Sequence, residues 1–150
     1  MRAVVQRVSH ASVVVDEKTV ASIKGGLLIL LGVTHDDTQE DIDWLAGKIA
    51  RLRIFNDPKG VMNVSLADTG QDAIVVSQFT LHASVKKGNR PSYINSAGPD
   101  IAVPFYENFI KKLEDLLSKK IGSGVFGADM KVSLLNDGPV TIVIDSKKRE

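Results

Sequence analysis

Short apolar runs rich in valine and isoleucine, separated by brief polar breaks, occupy the start of this chain. They lie at residues 2–8, 11–15, 18–23 and 26–33. Runs of this length and composition predict β-strands. Because the breaks leave room only for tight turns, and tight turns join antiparallel neighbours, the sequence predicts consecutive antiparallel strands. His10 falls in one of the predicted turns.

Two helices are predicted farther along the chain. Thr38 is followed by Asp41 at the spacing of a capping box, and apolar residues then recur at helical spacing over about residues 39–51. A second helix is predicted over about residues 101–119, and Gly122 supplies a stop signal. Its apolar stripe consists of Tyr106, Phe109, Ile110, Leu113 and Leu117.

The remaining strands complete one domain. They are predicted near residues 61–66, at 73–81, near 130–135 and at 140–145. A chain of 150 residues has the size of a single domain, and strands outnumber helices. The sequence therefore predicts one α+β domain over residues 1–150, with a curved antiparallel sheet or partial β-barrel and two main helices.

Composition and motifs exclude several kinds of site. The chain has no cysteine, which excludes disulfides, thiolate nucleophiles and iron–sulfur clusters. It has no P-loop, no dinucleotide-binding glycine motif and no H-x-x-x-H pair, so we expect neither a metal nor a cofactor. No apolar run is long enough to span a bilayer, and we expect a cytoplasmic protein. The net charge of +1 leaves nucleic-acid binding to local basic clusters.

Polar side chains crowd the end of a strand that begins as a buried one. The stretch "AIVVSQFTLHA", residues 73–83, carries four of them: Ser77, Gln78, Thr80 and His82. On strict alternation the last three share one face with Val76. They either satisfy neighbouring backbone at a sheet edge, which the pattern alone favours, or line a site whose hydroxyl and N–H groups face a substrate carbonyl.

The usual catalytic sets fit this sequence poorly. His82 is the histidine best placed to act as a base for Thr80, but two residues along a strand span about 7 Å. The acidic stretch "HDD", residues 35–37, fits capping of the first helix better than metal binding. A hydroxyl–histidine–carboxylate triad is therefore not predicted.

The stretch "LLNDGPVTIVID", residues 134–145, combines two signals that disagree. Asn136, Asp137 and Gly138 are typical of a tight hairpin turn between two strands. Pro139 has no N–H group to donate to a strand and restricts the residue before it. The pattern alone gives no reason for this proline.

Basic residues gather in two places. Lys86, Lys87 and Arg90 lie in the loop after the polar strand, where we expect contacts to phosphate. The basic run at residues 147–149 is predicted to be a solubilising tail.

These stretches together resemble one family. "VVSQFTL" at residues 75–81 and "NDGPVT" at residues 136–141 resemble, in sequence and in order, the two signature motifs of the D-aminoacyl-tRNA deacylases. Further blocks resemble the family's corresponding segments: "RAVVQRVSHASVVV", "LRIFND", "KGNRPSY" and "GVFGADM". The resemblance therefore runs nearly from end to end.

The resemblance implies an enzyme of translation quality control. Members are homodimers that hydrolyse the ester linking a D-amino acid, or glycine mischarged on tRNA(Ala), to the 3′-terminal adenosine of tRNA. They spare L-aminoacyl-tRNA. The resemblance implies neither a membrane partner nor a DNA partner.

The resemblance also assigns roles to residues. It places four on the floor of the pocket: Ser77, Gln78, Phe79 and Thr80. Gly138 and Pro139 correspond to a Gly-cisPro motif that reaches into the partner subunit's pocket and rejects L-amino acids, and Arg7 helps to hold that motif. Three more residues match positions near the pocket or the adenosine site: Ala102, Phe126 and Met130.

Several alternatives stay open at this point. Thr80 has no base beside it in sequence, which argues against a nucleophilic hydroxyl. The resemblance implies instead that the terminal 2′-hydroxyl of the tRNA assists attack by water, and this is the preferred hypothesis for hydrolysis. A small-molecule D-amino acid esterase acting through Thr80 or Ser77 is one alternative function. A non-catalytic homodimeric RNA-binding module is another.

Overall fold

The computed structural model describes residues 1–150 and shows a curved sheet with helices packed on one side. In chain order the elements are β1 (Arg2–Val15), β2 (Lys18–Ile23), β3 (Gly26–Gly32), α1 (Gln39–Arg51), β4 (Phe55–Asn56), β5 (Met62–Val64), α2 (Leu66–Thr69), β6 (Asp72–Ser77), α3 (Pro99–Leu117), β7 (Gly122–Ser123) and β8 (Lys131–Asp145). A short 3₁₀ turn, Phe79–His82, follows β6. The mixed α+β class is confirmed.

The long strand β1 organises the sheet. Its first half pairs antiparallel with β3, its second half pairs antiparallel with β2, and β8 pairs antiparallel along its other edge. The predicted turn at His10 is wrong, because His10 lies inside β1 opposite Leu135. The polar break in the apolar pattern instead marks a point where the register with β8 shifts, between Val8 and His10.

The far side of the sheet is parallel, which corrects the antiparallel pairing in the prediction of a curved antiparallel sheet or partial β-barrel. β6 pairs parallel with β3, and β7 pairs parallel with β6. Parallel neighbours need a long crossover, which the segment containing α1 supplies. Both β3 and β6 are buried on both faces, as is typical of parallel strands. β2 also contacts β6 and β7, so the sheet is nearly closed.

The first helix has the predicted bounds, and its N-terminus is confirmed. Thr38 is the N-cap, and its N–H and hydroxyl both donate to the Asp41 carboxylate, at 2.8 and 3.0 Å. Asp37 is buried and pairs with the amino group of Met1, so one carboxylate of the "HDD" stretch has a tertiary role beyond capping.

The other helices differ from the prediction at their ends. α3 begins at Pro99 and ends at Leu117, where Ser118 adopts a left-handed conformation. Gly122 does not stop this helix, because it lies in β7 opposite Ile74. The short helix α2 was not predicted; it begins after Ser65, whose hydroxyl accepts a hydrogen bond from the Asp68 N–H group.

Two hydrophobic cores fill the fold. The larger lies between the sheet and helices α1 and α3, and includes Leu27, Ile29, Phe109 and Leu113. The smaller lies inside the curl of the sheet. Its buried residues are Val8, Ala11, Val13, Ala21, Ile23, Leu28, Ile74 and Val76. Alternating side chains of β3 and β6 supply both cores, which explains their uninterrupted apolar sequences.

The predicted hairpin at residues 136–138 is wrong. Lys131–Asp145 forms one strand whose two halves both run antiparallel to β1, so the chain does not reverse. Asn136 pairs with Val8 and Thr141 pairs with Gln6, which leaves residues 137–140 as an excursion opposite Arg7. Pro139 is compatible with this strand because the backbone leaves the ladder there.

Lys147 and Arg149, two of the three basic residues at 147–149, are bound to acidic side chains, which corrects the prediction of a solubilising tail. Lys147 donates to the Asp41 carboxylate at 2.8 Å, and this contact lowers the pKa of Asp41 and raises that of Lys147. Arg149 pairs with Glu40 and lies over the Trp44 ring. None of the helices is long and apolar enough to cross a membrane.

Candidate active site

A cavity of about 300 Å³ opens beside the carboxyl ends of β3 and β6. Six of the residues that sequence analysis singled out line it: Ser77, Gln78, Phe79, Ala102, Phe126 and Met130. The rest of its wall is Leu31, Val33, Val76, Ala97, Tyr106, Gly127, Ala128 and Val132. A cavity that is mostly apolar, with a few polar groups at one end, is typical of a small-ligand site.

The polar end of the cavity is a turn rather than a strand. β6 stops at Ser77, the last residue in register with β3, and the Gln78 N–H group then donates to the Leu31 carbonyl at 2.8 Å. The chain next winds into the 3₁₀ turn Phe79–His82. The prediction that Gln78, Thr80 and His82 share one strand face is therefore wrong.

This turn presents backbone donors. The N–H groups of Phe79 and Thr80 open the turn, and the first N–H groups of a helical turn have no acceptor within it. Phe79 lines the cavity, and its carbonyl accepts a hydrogen bond from the Ser96 hydroxyl at 2.7 Å. Two adjacent donors held in this way suit the oxygen of a substrate carbonyl.

The Thr80 hydroxyl is not paired with a base. It accepts a hydrogen bond from the Gln78 amide at 2.5 Å, and Thr80 itself does not line the cavity wall. His82, in the same turn, is buried, and its Nε2 atom has no hydrogen-bond partner. Burial lowers the pKa of His82 and favours its neutral form.

Tyr106 is a cavity residue that sequence analysis assigned only to the core stripe of α3. Its hydroxyl donates to the Val75 carbonyl at 2.8 Å, and its ring packs against Phe126 with centroids 5.9 Å apart. Burial raises the pKa of Tyr106 to about 12. A tyrosine in an otherwise apolar stripe was the available signal, because a buried hydroxyl needs a partner.

Gly138 and Pro139 lie outside the cavity of their own chain. The peptide bond between them is cis, the form that the resemblance implies, and both residues are exposed. The buried Arg7 side chain anchors this excursion: Nε donates to the Asp137 carbonyl at 2.9 Å, and Nη1 donates to the Ile54 carbonyl at 2.7 Å.

The predicted phosphate-binding residues Lys86, Lys87 and Arg90 are exposed on a separate loop and do not line the cavity. Two backbone hydrogen bonds between Ser84 and Ser92 close this loop. The structure contains no group of three or more histidine, aspartate or glutamate side chains suited to a metal ion.

Comparison with known sequences gives one consistent result. Residues 4–145 match a family described as D-Tyr-tRNA(Tyr) deacylase. Proteins named D-aminoacyl-tRNA deacylase from Flavobacterium johnsoniae and Bacteroides thetaiotaomicron are 65% and 61% identical to this chain, and each match covers 100% of both chains.

Comparison with solved structures agrees on the fold. A structure named c-Myc DNA Unwinding Element Binding Protein matches with a TM-score of 0.90 and 39% identity, over 97% of this chain and 98% of that one. A probable eukaryotic D-amino acid tRNA deacylase matches with a TM-score of 0.84 and 17% identity, over 95% of this chain and 97% of that one. At 17% identity the second match is a likeness of fold.

Proposed function

Because this chain belongs to the D-aminoacyl-tRNA deacylase family and is a hydrolase acting on ester bonds, we propose that it removes D-amino acids, and glycine mischarged on tRNA(Ala), from the 3′-terminal adenosine of tRNA. The single observation that carries this proposal is the apolar cavity whose polar end is Ser77, Gln78 and the start of the 3₁₀ turn Phe79–His82. In this proposal residues 1–150 form one deacylase domain that acts in the cytoplasm as a proofreading step of translation.

The proposed pocket divides into two regions. The N–H groups of Phe79 and Thr80 hold the ester oxygen, with Ser77 and Gln78 beside them. The adenosine lies against Ala102, Phe126 and Met130 on the apolar wall. Apolar side chains suit the flat face of a base, while backbone donors suit the charge that develops on an ester oxygen.

We propose that hydrolysis uses the terminal ribose of the tRNA. Water adds to the ester carbonyl carbon while the neighbouring 2′-hydroxyl takes a proton from that water and supplies one to the departing 3′-oxygen. The bond between the carbonyl carbon and the 3′-oxygen breaks, which releases the amino acid and the tRNA. A nucleophilic hydroxyl needs a proton acceptor beside it, whereas the Thr80 hydroxyl is paired with a donor, the Gln78 amide. This pairing argues against Thr80 as the nucleophile and so supports the 2′-hydroxyl route.

Selectivity for the D-amino acid is proposed to come from a second subunit. Gly138 and Pro139 would project into the partner's pocket, where rigid backbone excludes a substituent of the L configuration at Cα. Glycine carries no substituent and would pass. The exposure of this excursion, its position outside its own cavity and its anchoring by Arg7 all support the proposal.

We also propose a homodimer, because the proposed selectivity needs a second subunit and because β8 exposes apolar side chains. Leu135 and Val143 lie on β8 on either side of the excursion and are 55% and 64% exposed. Large apolar side chains left in water beside a projecting loop are typical of a surface that another subunit covers.

The basic loop gives the proposed contact to the rest of the tRNA. Lys86, Lys87 and Arg90 are exposed and take part in no ion pair, so their charges are available to phosphate groups. This contact predicts RNA binding that weakens as salt concentration rises.

The test is deacylation of matched D- and L-aminoacyl-tRNA by the purified protein, with glycyl-tRNA as a third substrate. We expect release of D-amino acid and glycine and retention of the L-ester. Equal rates on D- and L-aminoacyl-tRNA would contradict the proposed selectivity. Binding of tRNA without release from any substrate would favour the RNA-binding module, and turnover of free D-amino acid esters without any tRNA requirement would favour the small-molecule esterase.

A further inference from the structure

An exposed pair of aromatic rings stands at the cavity. Phe79 lines the cavity yet is 55% exposed, and Tyr93, 42% exposed, meets it edge to face with ring centroids 4.9 Å apart. Aromatic rings are usually buried because they carry a large apolar surface. Two of them left in water at a binding cavity indicate a surface kept for a ligand.

The pair is held in place from behind by one residue. The Ser96 hydroxyl donates to the Phe79 carbonyl at 2.7 Å, and the Ser96 N–H group donates to the Tyr93 carbonyl at 2.9 Å. Ser96 also forms an isolated antiparallel bridge with Thr34, two residues after β3 ends. The rings are therefore presented by backbone that is fixed to the sheet.

The loop directly before Tyr93 carries positive charges that take part in no ion pair. Ser84 and Ser92 exchange two backbone hydrogen bonds, at 2.8 and 2.9 Å, which close the loop that holds Lys86, Lys87 and Arg90. Tyr93 follows the closing residue directly. A cationic loop joined to exposed aromatic rings is the combination with which proteins bind single-stranded nucleic acid, because charges follow the backbone and rings stack on bases.

We propose that Tyr93, with Phe79 behind it, forms a stacking platform for the base that precedes the terminal adenosine at the single-stranded 3′ end of the tRNA. This inference rests on the proposed function, since it takes the cavity as the site of the terminal adenosine. The platform extends the recognised ligand from one nucleotide to two. The basic loop binds phosphates on the 5′ side of the stacked base.

The experiment is a cycle of two changes, one in the protein and one in the RNA. Wild-type protein and Tyr93→Leu, which keeps apolar contact with Phe79 but cannot stack, are compared on an RNA with the intact 3′ end and on one with an abasic ribose before the terminal adenosine. Equilibrium binding of the uncharged RNAs and hydrolysis of their D-aminoacyl esters are both measured. Tyr93→Phe, which keeps the ring, and Met62→Ala, an exposed apolar residue on the separate β4–β5 sheet, serve as controls.

Loss of one stacked base weakens binding by about 5- to 150-fold. We expect that loss when either change is made alone, and little further loss when both are made together. Losses that multiply, or no loss from either change, would overturn the platform. If the coupled loss appears in binding while no ester is hydrolysed, the platform stands and the proposed function fails; if hydrolysis proceeds without coupling, the platform alone fails.

Discussion

Arg7 donates a hydrogen bond from Nε to the main-chain oxygen of Asp137, 2.9 Å away, at the residue that precedes the exposed Gly138–Pro139 pair. The same side chain is fixed at its other end by the Ile54 carbonyl and the Asn56 amide oxygen. A buried guanidinium therefore links the excursion of β8 to the body of the domain.

Replacing Arg7 with lysine should loosen the excursion. The ammonium group of lysine carries all of its N–H donors on one nitrogen. It therefore cannot reach both the Asp137 and Ile54 carbonyls, as the planar guanidinium does. We expect a loss of about 1.5–3 kcal/mol in the free energy of unfolding, and a fall in D over L selectivity of about tenfold or more. Urea unfolding and paired deacylation assays measure the two effects. The control is Arg53→Lys, an exposed arginine bonded to Asn63, which should leave selectivity unchanged.

Replacing Gly138 with alanine should disturb the excursion locally. Its φ of 135° lies in a region that side chains rarely adopt, and a Cβ would stand 2.9 Å from the Val140 nitrogen. We expect selectivity and D-specific activity to fall while the far-ultraviolet circular dichroism spectrum stays that of the wild type. Gly60→Ala is the matched control, because Gly60 also has positive φ but a Cβ there meets nothing within 4 Å. Equal effects from both variants would assign the loss to backbone conformation alone.

Placing a charge at Leu135 tests the proposed second subunit. Leu135→Glu adds a carboxylate to an exposed position beside the excursion, where a monomer would tolerate it. In a dimer with this surface covered, an unpaired buried charge costs several kcal/mol. We expect sedimentation to show a monomer and deacylation to lose selectivity. Val61→Glu, equally exposed on the turn before β5, should change neither.

Thr80→Val tests the route of hydrolysis. The variant keeps the backbone N–H group that the proposal uses and removes only the hydroxyl. We expect the deacylation rate to stay within about tenfold of the wild type, because one neutral hydrogen bond contributes only about 1 kcal/mol. A tRNA ending in 2′-deoxyadenosine should not be hydrolysed by either protein. Abolished activity in a folded Thr80→Val protein would instead indicate a nucleophilic hydroxyl.

His82 should make stability depend on pH. Burial lowers its pKa in the folded state, whereas the unfolded chain titrates near the usual value of about 6.5. Below about pH 6.5 the unfolded state binds more protons, so stability should fall as pH falls, by at most about 1.4 kcal/mol per pH unit. Urea unfolding between about pH 7.5 and about pH 5 measures this slope. The slope should shrink in His82→Phe and persist in His10→Phe, where the histidine is exposed.

The sequence predicted the elements better than their connections. Helical spacing and the Thr38–Asp41 box located α1 correctly, because both signals are local. The parallel pairing of β6 with β3 was missed, since it depends on residues that are distant in the chain. The hairpin at residues 136–138 was predicted from turn residues alone, and those residues are equally compatible with an excursion from a continuous strand.

The candidate site was predicted in part. Ser77 and Gln78 were found because polar residues at the end of an apolar run need an explanation. Strict alternation then failed, because β6 ends where its partner ends and the following residues form a turn. Ser96 carried no signal, and Tyr93 appeared only as part of the block "KGNRPSY", since the importance of both comes from their contacts with Phe79 in the folded chain.

The two halves of the continuous strand β8 pack against different hydrophobic cores. Before the excursion, Val132 and Leu134 pack against the smaller core. Val140, the last residue of the excursion, packs against the larger core together with Ile142 and Ile144. Residues 137–139 belong to neither core. If the excursion selects the amino acid as proposed, substitutions at residues 137–139 should alter which amino acids are admitted, while the flanking residues keep the fold assembled.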